Sequence, residues 1–147
     1  MPEVTLLAGW ADMDSNAHMR NTAYLDKAVD ARMLFFATAG FPATEFQRLR
    51  IGPVVMRDEV EYFLEVRLLE ALRVTLDLCG LSADGSRFRL RNEFYRPDGK
   101  LAARVTSTGG WLDLSLRRLT APPDPIAAAL RSLPRAESFE ELPSSLK

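Results

Sequence analysis

Between Thr22 and Ala39 the chain carries a helical pattern with apolar residues on more than one face. Leu25, Val29, Arg32 and Phe36 share one face at helical spacing, and Tyr24, Ala28, Ala31 and Phe35 share the next. The second half of this helix is apolar around most of its circumference, so something must wrap it. Asn21 or Thr22 can supply the N-cap, while Gly40 and then Pro42 end the helix.

Beyond the helix the chain reads as sheet. After Gln47 the apolar period changes to two, and Val54 to Val66 reads as one long strand. Leu72, Val74, Leu76 and Leu78 alternate with Arg73, Thr75, Asp77 and Cys79. Residues 82–86 read as a hairpin loop, after which Phe88, Leu90, Asn92 and Phe94 alternate against arginines. Pro97-Asp98-Gly99-Lys100 is a turn signal. A last strand runs from about Leu101 to Leu114, and Gly109-Gly110 within it marks a bulge or a close backbone approach. Asp124 as N-cap and Pro125 at the first helical position begin a short helix to about Leu133. With Glu3 to Leu7 as an opening strand, the order predicts one α+β domain over residues 1–134. Its long central helix is wrapped by a curved antiparallel sheet of about five strands, whose edges need protection, often by a second subunit. The polar tail, residues 135–147, is expected to be disordered or loosely packed.

Bulk properties exclude several function classes. The chain has 147 residues and a net charge of −1, which leaves no basic field for nucleic acid. Arg87, Arg89, Arg91 and Arg96 make a local basic stretch, interrupted by Glu93, which reads as the solvated face of a strand. One cysteine, Cys79, cannot pair within the chain and reads as inert packing. Together with the lack of a signal-peptide pattern, it points to the cytoplasm. No apolar run approaches the roughly 20 residues of a membrane span. Nucleophile-elbow, phosphate-loop, dinucleotide and zinc-ligand spacings are missing.

Chemistry concentrates in the segment from Trp10 to Leu25, which holds the only histidine. Asp14, Asn16 and His18 occupy alternate positions, and in an extended segment they point the same way. A carboxylate, an amide and an imidazole then converge just before a helix N-terminus, whose free N–H groups can hold an oxyanion. That set suits attack on an acyl carbon with a thiolate leaving group, Asp14 being general base or nucleophile. Spacing alone leaves a bland reading open, because Asp-x-Asn runs also build turns and a lone histidine often serves as a structural hydrogen-bonder. Asp12 and Asp14 as an Asp-x-Asp metal pair lack a second acidic cluster, so no metal is expected.

The segment from Asp12 to Arg32 resembles the signature of hotdog thioesterases of the 4-hydroxybenzoyl-CoA thioesterase type, with Asp14, His18, Asn21 and Tyr24 at matching places. The Asp14-x-Asn16-x-His18 spacing is also similar to the motif of plant acyl-ACP thioesterases. The resemblance covers about residues 3 to 120. It implies the hotdog fold and hydrolysis of an acyl-CoA or acyl-ACP, with coenzyme A only as part of the substrate and no separate cofactor. It further implies a homodimer or homotetramer with active sites between subunits and the acyl chain along the central helix, where Met33, Phe35 and Phe36 are candidate lining. Asn16 and His18 would orient substrate or water, N–H groups near Asn21 and Thr22 would hold the thioester oxygen, and Tyr24 would contact substrate. Glu65, on the strand after the helix, would match a further acidic residue of the acyl-ACP enzymes. Ala17 stands where a glycine is common, and Arg20 replaces the first asparagine of the usual pair. Related enzymes that use a helix-borne glutamate would place it near Asp26 or Asp30. A silent acyl-CoA or acyl-carrier binding dimer and a hotdog dehydratase or hydratase are the alternative functions.

Overall fold

The computed structural model describes residues 2–146. Strand β1 (Glu3–Leu7) leads through a 3-10 turn (Trp10–Asp12) and a loop into helix α1 (Ala23–Thr38), and α2 (Ala43–Leu49) follows. Then come β2 (Ile51–Tyr62), β3 (Ala71–Thr75), β4 (Asp77–Ser82), β5 (Arg87–Tyr95), β6 (Leu101–Asp113), β7 (Arg118–Thr120), α3 (Asp124–Arg131) and β8 (Arg135–Leu142). The eight strands form one sheet, larger than the five expected. Its central strand β5 pairs antiparallel with β3, β4 and β6; β1 extends it beyond β3, β8 beyond β4 and β2 beyond β6. No helix among the described residues is long and apolar enough to cross a membrane.

Helix α1 lies against this sheet as its apolar faces require. Ala23, Tyr24, Ala28 and Ala31 join a cluster with Leu72, Val74, Phe94 and Val105. One turn further on, Phe36 joins a second cluster with Phe46, Phe88 and Trp111. The wrap is incomplete in the single chain, because Val29 remains exposed on the side toward β2 and Leu34 on the side toward β1 and β3.

Several elements depart from the sequence reading: α2 and β7 were not expected, and β2 ends at Tyr62 rather than at Val66. The alternating run through Cys79 is two strands, because it breaks at Leu76, whose N–H donates to the Pro2 carbonyl instead of to a strand neighbour. Asn92 Nδ2 donates to the Thr75 carbonyl beside this break. A further register shift at Cys79 and cover from β8 bury both Cys79 and Gly80, and burial pushes the thiol's pKa up. The expected loose tail contains β8, which runs parallel to β4 and buries Ala136 and Leu142; its sparse apolar residues hide among charges, so polarity masked a strand. The last helix begins one residue earlier than its Asp-Pro signal, with Pro123 as cap.

Arginine placement also differs from the solvated face expected. Arg91 lies 3.7 Å from Asp77, Arg89 reaches Glu140 of β8 at 2.5 Å, and both are half-buried. Acidic neighbours on adjoining strands neutralise them.

The close approach at Gly109 is confirmed. A Cβ there would collide with the Val54 carbonyl across the β2–β6 register shift. Gly99 sits at φ +82° in the β5–β6 turn with open space around it. Gly99→Ala should therefore cost only the left-handed backbone penalty of about 1–2 kcal/mol. Gly109→Ala should cost about 3 kcal/mol or more, because backbone must move. Urea denaturation measures both; equal costs would show that the strand approach is not tight.

Candidate active site

Residues 12–20 form a small hairpin pinned to the start of α1. Arg20 N–H donates to the Asp12 carbonyl at 2.8 Å, Met13 and Met19 bridge, and Asp14 N–H donates to the His18 carbonyl at 3.0 Å. The segment is not extended, so the expected convergence of Asp14, Asn16 and His18 by alternation does not occur. Instead the Asp14 carboxylate accepts the Asn16 backbone N–H at 2.8 Å, turning the chain at once, and Ala17 takes φ +65°. That left-handed position explains why glycine suits the place, and Ala17 occupies it under strain.

The turn brings two of the expected residues together. His18 Nδ1 lies 3.6 Å from Asp14 Oδ2 and 3.3 Å from the Met19 carbonyl. Both neighbours are acceptors, an arrangement that suits the tautomer with its proton on Nδ1. The Asn16 side chain stands exposed at the tip, apart from that pair.

At the helix start, Arg20 spans both sides of the hairpin base. Its guanidinium donates to the Ala11 carbonyl and, through Nε, to Thr22 Oγ1 at 3.1 Å, with Asp26 at 3.7 Å. Thr22 holds the cap position but its hydroxyl caps nothing. The N–H groups of Asn21, Thr22 and Tyr24 have no acceptor among the described residues. Those donors, at the positive end of the α1 dipole, are what an oxyanion needs. The Asn21 carbonyl accepts the Tyr62 hydroxyl at 2.8 Å, which fixes the entry to the helix.

Other expected residues lie elsewhere. Tyr24 is buried between Tyr62 and Phe94, with ring centroids 5.4 Å away in each case. Burial, with Tyr62 and Glu70 nearby, pushes its phenol pKa up to about 12, so it stays protonated. Glu65 lies beyond the end of β2, in a loop rather than on a strand, exposed and 3.5 Å from Arg67. Val66 beside it is the link to the hairpin, its carbonyl accepting Met19 N–H at 2.7 Å. None of the four principal cavities of the described residues includes Asp14 or His18.

Sequence reasoning missed Lys27. Its ammonium lies 2.9 Å from Asp12 Oδ2 and 2.8 Å from the Leu7 carbonyl, in a largely buried setting. The available signal was its register: Lys27 shares a helical face with Tyr24 and Ala31, both buried. Asp12 is thereby held by Lys27 and by the Gly9 N–H, which donates to it at 2.8 Å. Burial alone would raise the Asp12 pKa, but the Lys27 hydrogen bond, the Gly9 N–H and the charges of Lys27 and Arg20 outweigh it, and the net shift is downward.

A carboxyl with a depressed folded-state pKa contributes stability that is present above the ordinary carboxylate range, near pH 4, and lost as pH falls through it. Lys27→Met should cost about 2–3 kcal/mol at pH 7, below the full cost of breaking a buried pair because Asp12 keeps some solvent. Between pH 5 and about 2, Asp12→Asn should lose less stability than the parent. Denaturant midpoints across pH check this; identical acid profiles would show that the pair is not the link.

Comparison with known proteins bears on the family and the fold. The family model described as the thioesterase-like superfamily matches residues 8–130. No match was found among curated protein sequences. The SAV2348 protein from Staphylococcus aureus, solved in complex with CoA, is similar at a TM-score of 0.79 and 22% identity, over 91% of this chain and 86% of that one. Slr0204, a 1,4-dihydroxy-2-naphthoyl-CoA thioesterase from Synechocystis, is similar at 0.79 and 16%, over 89% and 96%. BH1999, a gentisyl-coenzyme A thioesterase, is similar at 0.78 and 16%, over 87% and 98%. The long helix on a curved antiparallel sheet is the hotdog fold, and the chain belongs to the thioesterase-like superfamily.

Proposed function

We propose that the protein hydrolyses acyl thioesters, acyl-CoA foremost, at the hairpin that leads into α1. The observation that supports this reading best is the Asp14–His18 pair standing before a helix terminus whose N–H groups are left without acceptors. An acyl carrier protein is a second presenter of the same thioester.

Asp14, with His18 beside it, draws a proton from water as the water oxygen bonds to the acyl carbon. Attack by the Asp14 carboxylate itself, with water resolving the resulting anhydride, uses the same groups. Negative charge gathers on the carbonyl oxygen, where the N–H groups of the first helical turn can hold it. Collapse expels the thiolate, which takes up a proton to leave free thiol and acid. Asn21 and Thr22 place the donors through their backbone, Asn16 faces incoming substrate, and Tyr24 holds the helix start from inside the core. Glu65 has an exposed position from which it could meet only the outer part of a bound thioester.

A homodimer fits the same surface. The outer edge of β2 pairs with no strand among the described residues, and Val29, Val55, Met56, Tyr62 and Phe63 are exposed. An unpaired edge with such apolar cover invites a second copy, which would also build walls beside Asp14 that the single chain lacks.

A panel of short, aromatic and long acyl-CoA substrates with thiol detection tests the activity. We expect turnover of at least one member and a loss of about 100-fold or more in kcat for Asp14→Asn. Inactivity across the panel, or full activity of Asp14→Asn, would refute the assignment; tight binding without turnover would favour a silent acyl-CoA carrier. Sedimentation should give at least twice the 16.5 kDa chain mass, and a stable monomer would exclude the shared site.

A further inference from the structure

Arg32 is the anomaly on the central helix. Only 6% of its surface is exposed, yet its one hydrogen bond sends Nε to the Ala28 carbonyl at 3.1 Å, one turn back. It forms no ion pair among the described residues. The other buried cation of α1, Lys27, has both a carboxylate and a carbonyl. The acid whose field reaches Arg32 is Asp58 on β2, and that carboxylate accepts the Ser107 hydroxyl at 2.5 Å.

A guanidinium does not discharge in a protein, so burying one without a partner is unfavourable. Replacing it by an apolar side chain of similar size would ordinarily stabilise the fold. Arg32 therefore carries a desolvation cost that no carboxylate among the described residues offsets at ion-pair distance.

It stands on the wall of a cavity of about 90 Å³, together with Val29, Met33, Phe36, Val55 and Phe88. The rest of that wall is apolar. A cavity of roughly 150 Å³ accepts benzene, so this one suits the end of a slender chain better than a ring. An apolar slot with one unpaired guanidinium calls for a ligand with an aliphatic body and an anionic tip. A carboxylate can take two parallel N–H donors from the guanidinium.

We propose that this cavity receives the far end of an acyl chain that terminates in a carboxylate, with Arg32 as the residue that selects it. The placement of that chain as the acyl part of a thioester rests on the thioesterase reading above. Arg32 lies eight residues after Tyr24, roughly 12 Å along the helix axis, so a medium-length chain fits better than a very short one.

The test measures binding without hydrolysis. ω-Carboxyalkyl-CoA thioethers of four, six and ten carbons, which have no scissile acyl bond, are titrated calorimetrically against plain alkyl-CoA thioethers of equal length. The parent protein should bind the carboxylated member of at least one pair tenfold or more tightly. Arg32→Met should abolish that preference, bind the alkyl-CoA within about twofold of the parent, and melt no lower. Equal affinity within every pair for the parent, or a preference that survives in Arg32→Met, overturns the proposal. So does dissociation of Arg32→Met into monomers on sedimentation, which would make Arg32 an interface residue, and so does Arg32-dependent binding confined to free dicarboxylates. If Arg32→Met does not fold, Arg32→Gln provides the same comparison. Because thioethers are not substrates, the outcome stands apart from whether thioesters are hydrolysed.

Discussion

Burial of α1 governs the rest of the molecule. Sixteen residues of helix place aromatic and small side chains on more than one face, and a flat sheet could cover only one of them. The sheet therefore curves, and β5 in the middle contributes Phe94 to the cluster around the first half of α1 and Phe88 to the cluster around the second. Curvature needs local irregularity, supplied by the break at Leu76 and the register shifts at Cys79 and opposite Gly109. A bulge increases twist where it sits.

The same burial supports the proposed chemistry. A helix anchored along its length by core packing presents a rigid N-terminus, whose donors would cost no reorganisation if charge developed beside them. Tyr24 and Lys27 anchor the first turn and a half from the inside, the former by aromatic contacts and the latter through Asp12 and Leu7. Arg20 then engages the Thr22 hydroxyl, which would otherwise be free to cap those donors. Polar side chains near the terminus thus hold the hairpin in place and leave the backbone N–H groups unused.

Much of this could be read from residue patterns, for physical reasons. Period-3.6 and period-2 apolarity located α1, β5 and β6 because each buries a regular face. Gly109 was recognisable because side chains are excluded where two backbones come close. β8 was hidden, since an edge strand paired in parallel at the rim needs few apolar residues. Asp14 and His18 were singled out by residue type, but the geometry assumed for them was wrong. An aspartate two residues before an asparagine N–H closes a turn, and turn formation competes with the extended backbone that alternation requires. Lys27 and Arg32 both sat in plain view as charges within buried helical registers. Their meaning depends on what faces them, which comes from residues far away in sequence: Asp12 and Leu7 for one, Val55 and Phe88 for the other.

A structure of the Asp14→Asn protein holding an intact acyl-CoA would test the central claim most directly. The account predicts the thioester carbonyl oxygen within hydrogen-bond distance of first-turn N–H groups of α1, with residue 14 beside the acyl carbon or one water away from it. A thioester bound with its carbonyl remote from that terminus, or with the hairpin of the same or a neighbouring chain facing only solvent, would contradict it.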